Sequence, residues 1–110
     1  MDDRAKRICA LNDRLRQYHL GGRVMMTVGV QAIGPMALTE LTDAIADFDQ
    51  FSPDTNDPRL EHDFASIEFE GQKIMWKIDY FDKSLQHGSP DPSDREVTTR
   101  VMTIMLASEY

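Results

Sequence analysis

Ala65-Ser66-Ile67-Glu68-Phe69-Glu70-Gly71-Gln72-Lys73-Ile74-Met75-Trp76-Lys77-Ile78-Asp79-Tyr80 alternates apolar and polar side chains on both sides of Gly71-Gln72. That is the pattern of two half-buried strands joined by a tight turn. A glycine in first place of a two-residue loop suits a type II′ turn, which predicts strands over 65–70 and 73–80. Glu70 then faces Lys73, Phe69 faces Ile74, Ile67 faces Trp76 and Ala65 faces Ile78, so the apolar pairs share one side. Trp76 belongs to the core on this reading.

Upstream, Ile8, Leu11, Leu15 and Tyr18 recur at spacings of three and four, which predicts a helix from about Asp3 to His19 stopped by Gly21-Gly22. Arg7 and Arg14 flank its stripe as a solvated edge. Residues 23–30, rich in valine and methionine, read as a strand covered on both sides. Gly34-Pro35 breaks it, and Leu38, Leu41, Ile45 and Phe48 mark a second helix from about Met36 to Phe48. Downstream, Asp91-Pro92-Ser93-Asp94-Arg95-Glu96 supplies a cap, a proline and early acids, so a third helix is expected to run to about Ser108. Its apolar arc, from Val97, Val101, Met102, Ile104, Met105 and Leu106, spans about 200° at 100° per residue, wider than that of a surface helix. The helix is therefore expected to lie between layers or to offer a self-association surface.

These elements define an α+β fold in the order α-β-α-β-β-α, an antiparallel sheet of at least three strands packed with three helices. The chain of 110 residues reads as a single domain over residues 1–110. Its one cysteine, Cys9, leaves no internal disulfide and fits a reducing, cytoplasmic setting. No apolar run has the length of a signal sequence or a membrane span, and residues 52–63 and 81–93 read as polar, turn-rich loops.

Charge is the most function-laden feature. Residues 37–70 hold ten acids (Glu40, Asp43, Asp47, Asp49, Asp54, Asp57, Glu61, Asp63, Glu68 and Glu70) against Arg59 alone, within a chain of net charge −7. Such a chain is repelled by phosphates, so direct nucleic-acid binding is not expected. The opposite role, an acidic surface that occupies a basic groove on a protein partner, fits better. On the second helix Glu40, Asp43 and Asp47 rise by about 4.5 and 6 Å at about 1.5 Å per residue, not far from the spacing of about 3.4 Å per phosphate along one DNA strand. Asp54, Asp57 and Glu61 extend the expected partner-binding set. The plain alternative is a solvated acidic face that aids solubility.

An enzyme is the competing class. Glu61-His62-Asp63 ends the first long loop and His87 lies in the second, so His62, Asp63 and His87 are the candidate acid–base or metal-dependent hydrolase residues if both loops converge. No nucleophile elbow, phosphate-cradling glycine loop, HExxH helix or calcium loop is present. Neither metal nor cofactor is expected.

The runs Glu61-His62-Asp63-Phe64, Trp76-Lys77-Ile78-Asp79-Tyr80-Phe81-Asp82, Gly88-Ser89-Pro90-Asp91-Pro92 and Thr103-Ile104-Met105-Leu106-Ala107, with Asn12-Asp13 and Gly21-Gly22-Arg23, resemble a family of small bacterial proteins known as domain of unknown function 3768. Ala65 stands where the family often has glycine. The resemblance carries no activity; it implies an association with mobile-element and plasmid cargo, and through it a role against host defence or in regulating transfer. The reading taken forward is a small acidic protein-interaction module, with no membrane partner and with self-association through the C-terminal helix as a further expectation.

Overall fold

A computed structural model describes residues 2–110. The elements run α1 (Asp3–Tyr18), β1 (Arg23–Met26), α2 (Val28–Gln31), α3 (Pro35–Asp47), β2 (Phe64–Phe69), β3 (Gln72–Phe81) and β4 (Thr99–Leu106), followed by a 3-10 turn over Ala107–Glu109. The strands form one four-stranded sheet in the order β1-β4-β3-β2. β2, β3 and β4 are antiparallel neighbours, while β1 lies parallel to β4, so the sheet is mixed rather than antiparallel. The α+β class holds.

The hairpin keeps the expected faces and changes register. Phe69 pairs with Gln72, Ile67 with Ile74 and Ala65 with Trp76, so the turn is Glu70-Gly71, with φ of 51° and 79°. Two positive φ values in the loop are the mark of a type I′ turn, which places glycine second. Moving the loop back by one residue shifts each partner by two, so parity is preserved and Ala65, Ile67, Ile74, Trp76 and Ile78 still share a side.

The larger correction is the C-terminal helix, because residues 99–106 form β4, a central strand. Arg100, Met102 and Ile104 are buried on one face, and Val97, Thr98, Thr99, Val101, Thr103 and Ile104 supply the β-branched content that favours a pleated strand. A central strand has neighbours on both edges and apolar residues toward both faces, which accounts for the wide apolar arc. Asp91, read as a helix cap, instead holds a turn: its Oδ1 accepts from the Ser93 amide at 3.1 Å and the Ser93 hydroxyl at 2.7 Å. Among the described residues the C-terminal stretch holds no α-helix, only the 3-10 turn over Ala107–Glu109.

The valine-rich stretch is also shorter as a strand than expected. β1 stops at Met26, and residues 28–31 wind into one helical turn that carries Val30 into the core. The turn sits against the end of β4, where a Cβ added to Gly29 would lie 2.7 Å from Leu106 Cδ1. Glu109 fastens the two segments, accepting from the Thr27 hydroxyl at 2.6 Å and from the amides of Leu106 and Gly29 at 2.9 and 3.0 Å.

Those bonds, the Thr27 hydroxyl foremost, hold the Glu109 carboxyl below its ordinary value of 4.5. A depressed carboxyl stabilises the fold fully above its unfolded value, and that share is lost as pH falls through the folded one. Glu109→Gln is therefore expected to melt below the parent at pH 7. The gap should close as pH drops below 4.5, which thermal melts across pH would read out.

α1 and α3 pack on the sheet face formed by Val24 and Met26, Met102 and Ile104, Ile74, Trp76 and Ile78, and Ala65 and Ile67. α3 buries Leu41 and Ile45, with Leu38 and Phe48 half-buried beside them, as its spacing predicts. On α1 the inward residues are Ile8, Asn12, Leu15 and Arg16, whereas Tyr18, assigned to the stripe, is 69 % exposed. The helix ends in His19, with φ of 56°. Among the described residues no helix is long and apolar enough to cross a membrane.

Candidate functional site

The inward polar residues of α1 organise one end of the molecule. Arg16, almost fully buried, donates through one guanidinium nitrogen to the carbonyls of Ile45, Ala46 and Phe48 at 2.8, 2.9 and 3.0 Å. A helix leaves its last carbonyls without partners, and a cation there meets the negative end of its dipole, so Arg16 closes α3. Its other terminal nitrogen bonds Asp13 Oδ1 at 2.9 Å, and its face lies 5.1 Å from the Phe51 ring centroid. Phe51 in turn stacks on His62, with centroids 4.1 Å apart and planes 9° from parallel.

His62 stands between two carboxylates. Nδ1 lies 2.9 Å from Asp13 Oδ1 and Nε2 lies 3.8 Å from Asp57 Oδ2. Asp57 is fully buried; its Oδ1 accepts from the amides of Glu61 and His62 at 2.9 and 3.2 Å, while its Oδ2 has no hydrogen-bond partner. Those two bonds shape the end of the loop, where Leu60 and His62 both take positive φ. On the helix side, Cys9 Sγ approaches Asp13 Oδ2 at 3.7 Å. The Cys9 sulfur, an Asp13 oxygen and a His62 nitrogen lie within 4.8 Å of one another. Burial and then the Asp13 charge push the Cys9 thiol up to about 12, which disfavours the thiolate, the form that acts as nucleophile and metal ligand.

A second network lies deeper. Asn12 donates to the Glu61 carbonyl at 2.9 Å and to the Tyr80 hydroxyl at 2.8 Å, and its own oxygen accepts from Arg100 Nε at 2.9 Å. The Tyr80 hydroxyl donates to Glu61 Oε1 at 2.9 Å, and the Arg100 guanidinium lies 5.2 Å from the Tyr80 ring centroid while also donating to the Pro92 carbonyl. Burial raises the Tyr80 phenol and lowers the Arg100 guanidinium from their ordinary values. Asn12 thereby joins α1, the loop, β3 and β4 at one point.

The sequence-derived site residues separate into three groups. Glu40, Asp43 and Asp47 are exposed on α3 and Asp54 is exposed in the loop, and among the described residues none of the four is in an ion pair. Asp57 and Glu61 are buried and turned inward, so they hold the loop and do not add to the acidic surface. His62 joins the Asp13 cluster, but His87 is exposed and engages Asp82 through its backbone carbonyl at 2.8 Å. Among the described residues no hydrogen bond or ion pair links His87 with His62 or Asp63. Asp63 accepts from the Ile78 amide through its carbonyl at 2.8 Å, and burial, then Glu61, raise its carboxyl above the ordinary value.

Cys9, Asn12, Asp13, Arg16, Phe51 and Arg100 were not singled out from the sequence as site residues. Two signals existed. Asn12 interrupts the apolar spacing Ile8, Asn12, Leu15, and Arg100 precedes Met102, Ile104 and Leu106 in an alternating row that is otherwise apolar; a polar group at an inward position needs a partner.

The fold and this end of it define a small α+β protein with a one-sided helical layer and a polar cluster beneath a long loop. The chain belongs to the family described as a protein of unknown function (DUF3768), whose model matches residues 26–109. Asn12 and Asp13 lie upstream of that match. No curated protein and no solved structure matches the chain.

Proposed function

We propose that the protein is a small acidic interaction module that binds a protein partner through the outer face of α3. The observation that carries this reading is that Glu40, Asp43, Asp47 and Asp54 are exposed and outside every ion pair among the described residues. Four unneutralised carboxylates on a firmly packed helix and its following loop are suited to a basic surface, where complementary charge sets encounter rate and selectivity. A nucleic-acid-binding or host-defence complex, which already presents cations to phosphates, is the class of partner that fits. Inhibition would follow from occupying that groove.

Each exposed charge pair contributes about 0.2–1 kcal/mol. Replacing three partners together (Glu40→Gln, Asp43→Asn, Asp47→Asn) is therefore expected to weaken binding by about 3–150-fold while leaving the melting temperature close to that of the parent. Affinity measured at low and high salt checks it. Binding unchanged by the substitutions would sink the reading.

A further inference from the structure

We propose that Cys9, Asp13 and His62 form a binding site for one divalent ion of the zinc class, with Asp57 orienting the histidine. Cys9 and Asp13 are one helical turn apart on α1 and so lie side by side, and the loop delivers His62 onto them. The ligand atoms already fall within 4.8 Å of one another. Zinc bonds of about 2.0–2.3 Å place tetrahedral ligand atoms about 3.3–3.6 Å apart, so the wider separations would close and the 2.9 Å contact of Nδ1 with Asp13 Oδ1 would open slightly, both within reach of side-chain rotation.

The surroundings of His62 point to a cation. Asp57 Oδ2 is buried, has no hydrogen-bond partner and faces Nε2 at 3.8 Å, a carboxylate oxygen aimed at the distal side of the ring. On the near side Nδ1 lies 2.9 Å from Asp13 Oδ1 and the Cys9 thiol lies 3.7 Å from Asp13 Oδ2. Sulfur, nitrogen and oxygen donors converging from three residues match zinc chemistry. A buried carboxylate behind the distal nitrogen is also the recurring way in which a metal-binding imidazole is held.

Charge balances too. A bound thiolate with Asp13 and Asp57 supplies three negative charges, and Arg16, 2.9 Å from Asp13, supplies one positive, which together offset a divalent ion. Arg16 opposes the ion electrostatically but fixes the carboxylate by holding its Oδ1. The Asp13 and His62 side chains are 28 % and 27 % exposed, which leaves an entry path and a fourth position for solvent. The site is separate from the α3 face, so reversing Glu40, Asp43 and Asp47 should leave metal binding unchanged.

The test is a titration of tag-free protein with cobalt(II), followed by displacement with zinc(II). One equivalent should bind with a thiolate-to-cobalt charge-transfer band, and zinc should abolish that band. Cys9→Ser should bind without the band and more weakly, and His62→Asn should also lose affinity, with circular dichroism confirming that both remain folded. Asp57→Asn should keep the band and lose about 10–100-fold in affinity. No band in the parent, or a band surviving in Cys9→Ser, overturns the site. Unchanged affinity in Asp57→Asn overturns its orienting role.

Discussion

Trp76→Ala is expected to lower the unfolding free energy by about 3–5 kcal/mol, the range for deleting a large aromatic side chain from a core. Trp76 is fully buried in β3 and packs edge-on against Phe48 at 5.2 Å, while Phe48 does the same to Phe51 at 4.9 Å. The cavity would thus open beneath the loop that carries His62. Because single domains are stable by only about 5–15 kcal/mol, the loss is a large share of the total. Urea unfolding measures it directly. Trp76→Phe is expected to cost less, since it keeps a ring against Phe48 and removes an indole N–H that has no partner.

Asn12→Ala should be of comparable size. Each buried polar group left without a partner costs about 1–3 kcal/mol, and the substitution strands two of them, the Arg100 Nε and the Glu61 carbonyl. An effect of about 2–6 kcal/mol follows. The Tyr80 hydroxyl retains Glu61 as acceptor, so Tyr80→Phe alone should be milder. In a double-mutant cycle the two changes should be strongly non-additive, as for members of one hydrogen-bond network. Strict additivity would mean that Asn12 acts only as packing.

The hairpin was legible because a period of two survives an error in the turn. Nothing in the chemistry of Glu70 announces a φ of 51°, so the sequence places it in the strand, yet the faces are unchanged. β4 was not legible for the converse reason. Asp91-Pro92 and the following acids imitate a helix start, and methionine, leucine and arginine favour helices locally, but pairing with β1 on one side and β3 on the other overrides that preference.

The site was legible only at its loop end. His62 stood out beside its acidic neighbours, but its partner Asp13 is 49 residues away in sequence, and the pairing depends on where the loop lands. Asp57 and Glu61 looked like surface charge because burial of a carboxylate cannot be read from composition. Glu40, Asp43 and Asp47 were placed outward by the same helical spacing that put Leu41 and Ile45 inside.

The most direct measurement of the interaction reading compares two variants of equal net charge as baits for the salt-sensitive partner of the parent protein. One carries Glu40→Lys, Asp43→Lys and Asp47→Lys on α3; the other carries Asp3→Lys, Glu68→Lys and Glu96→Lys, exposed positions outside it. The account predicts that the first loses the partner and the second retains it, with both folded. Equal retention by both variants, or equal loss from both, would contradict a docking surface on α3.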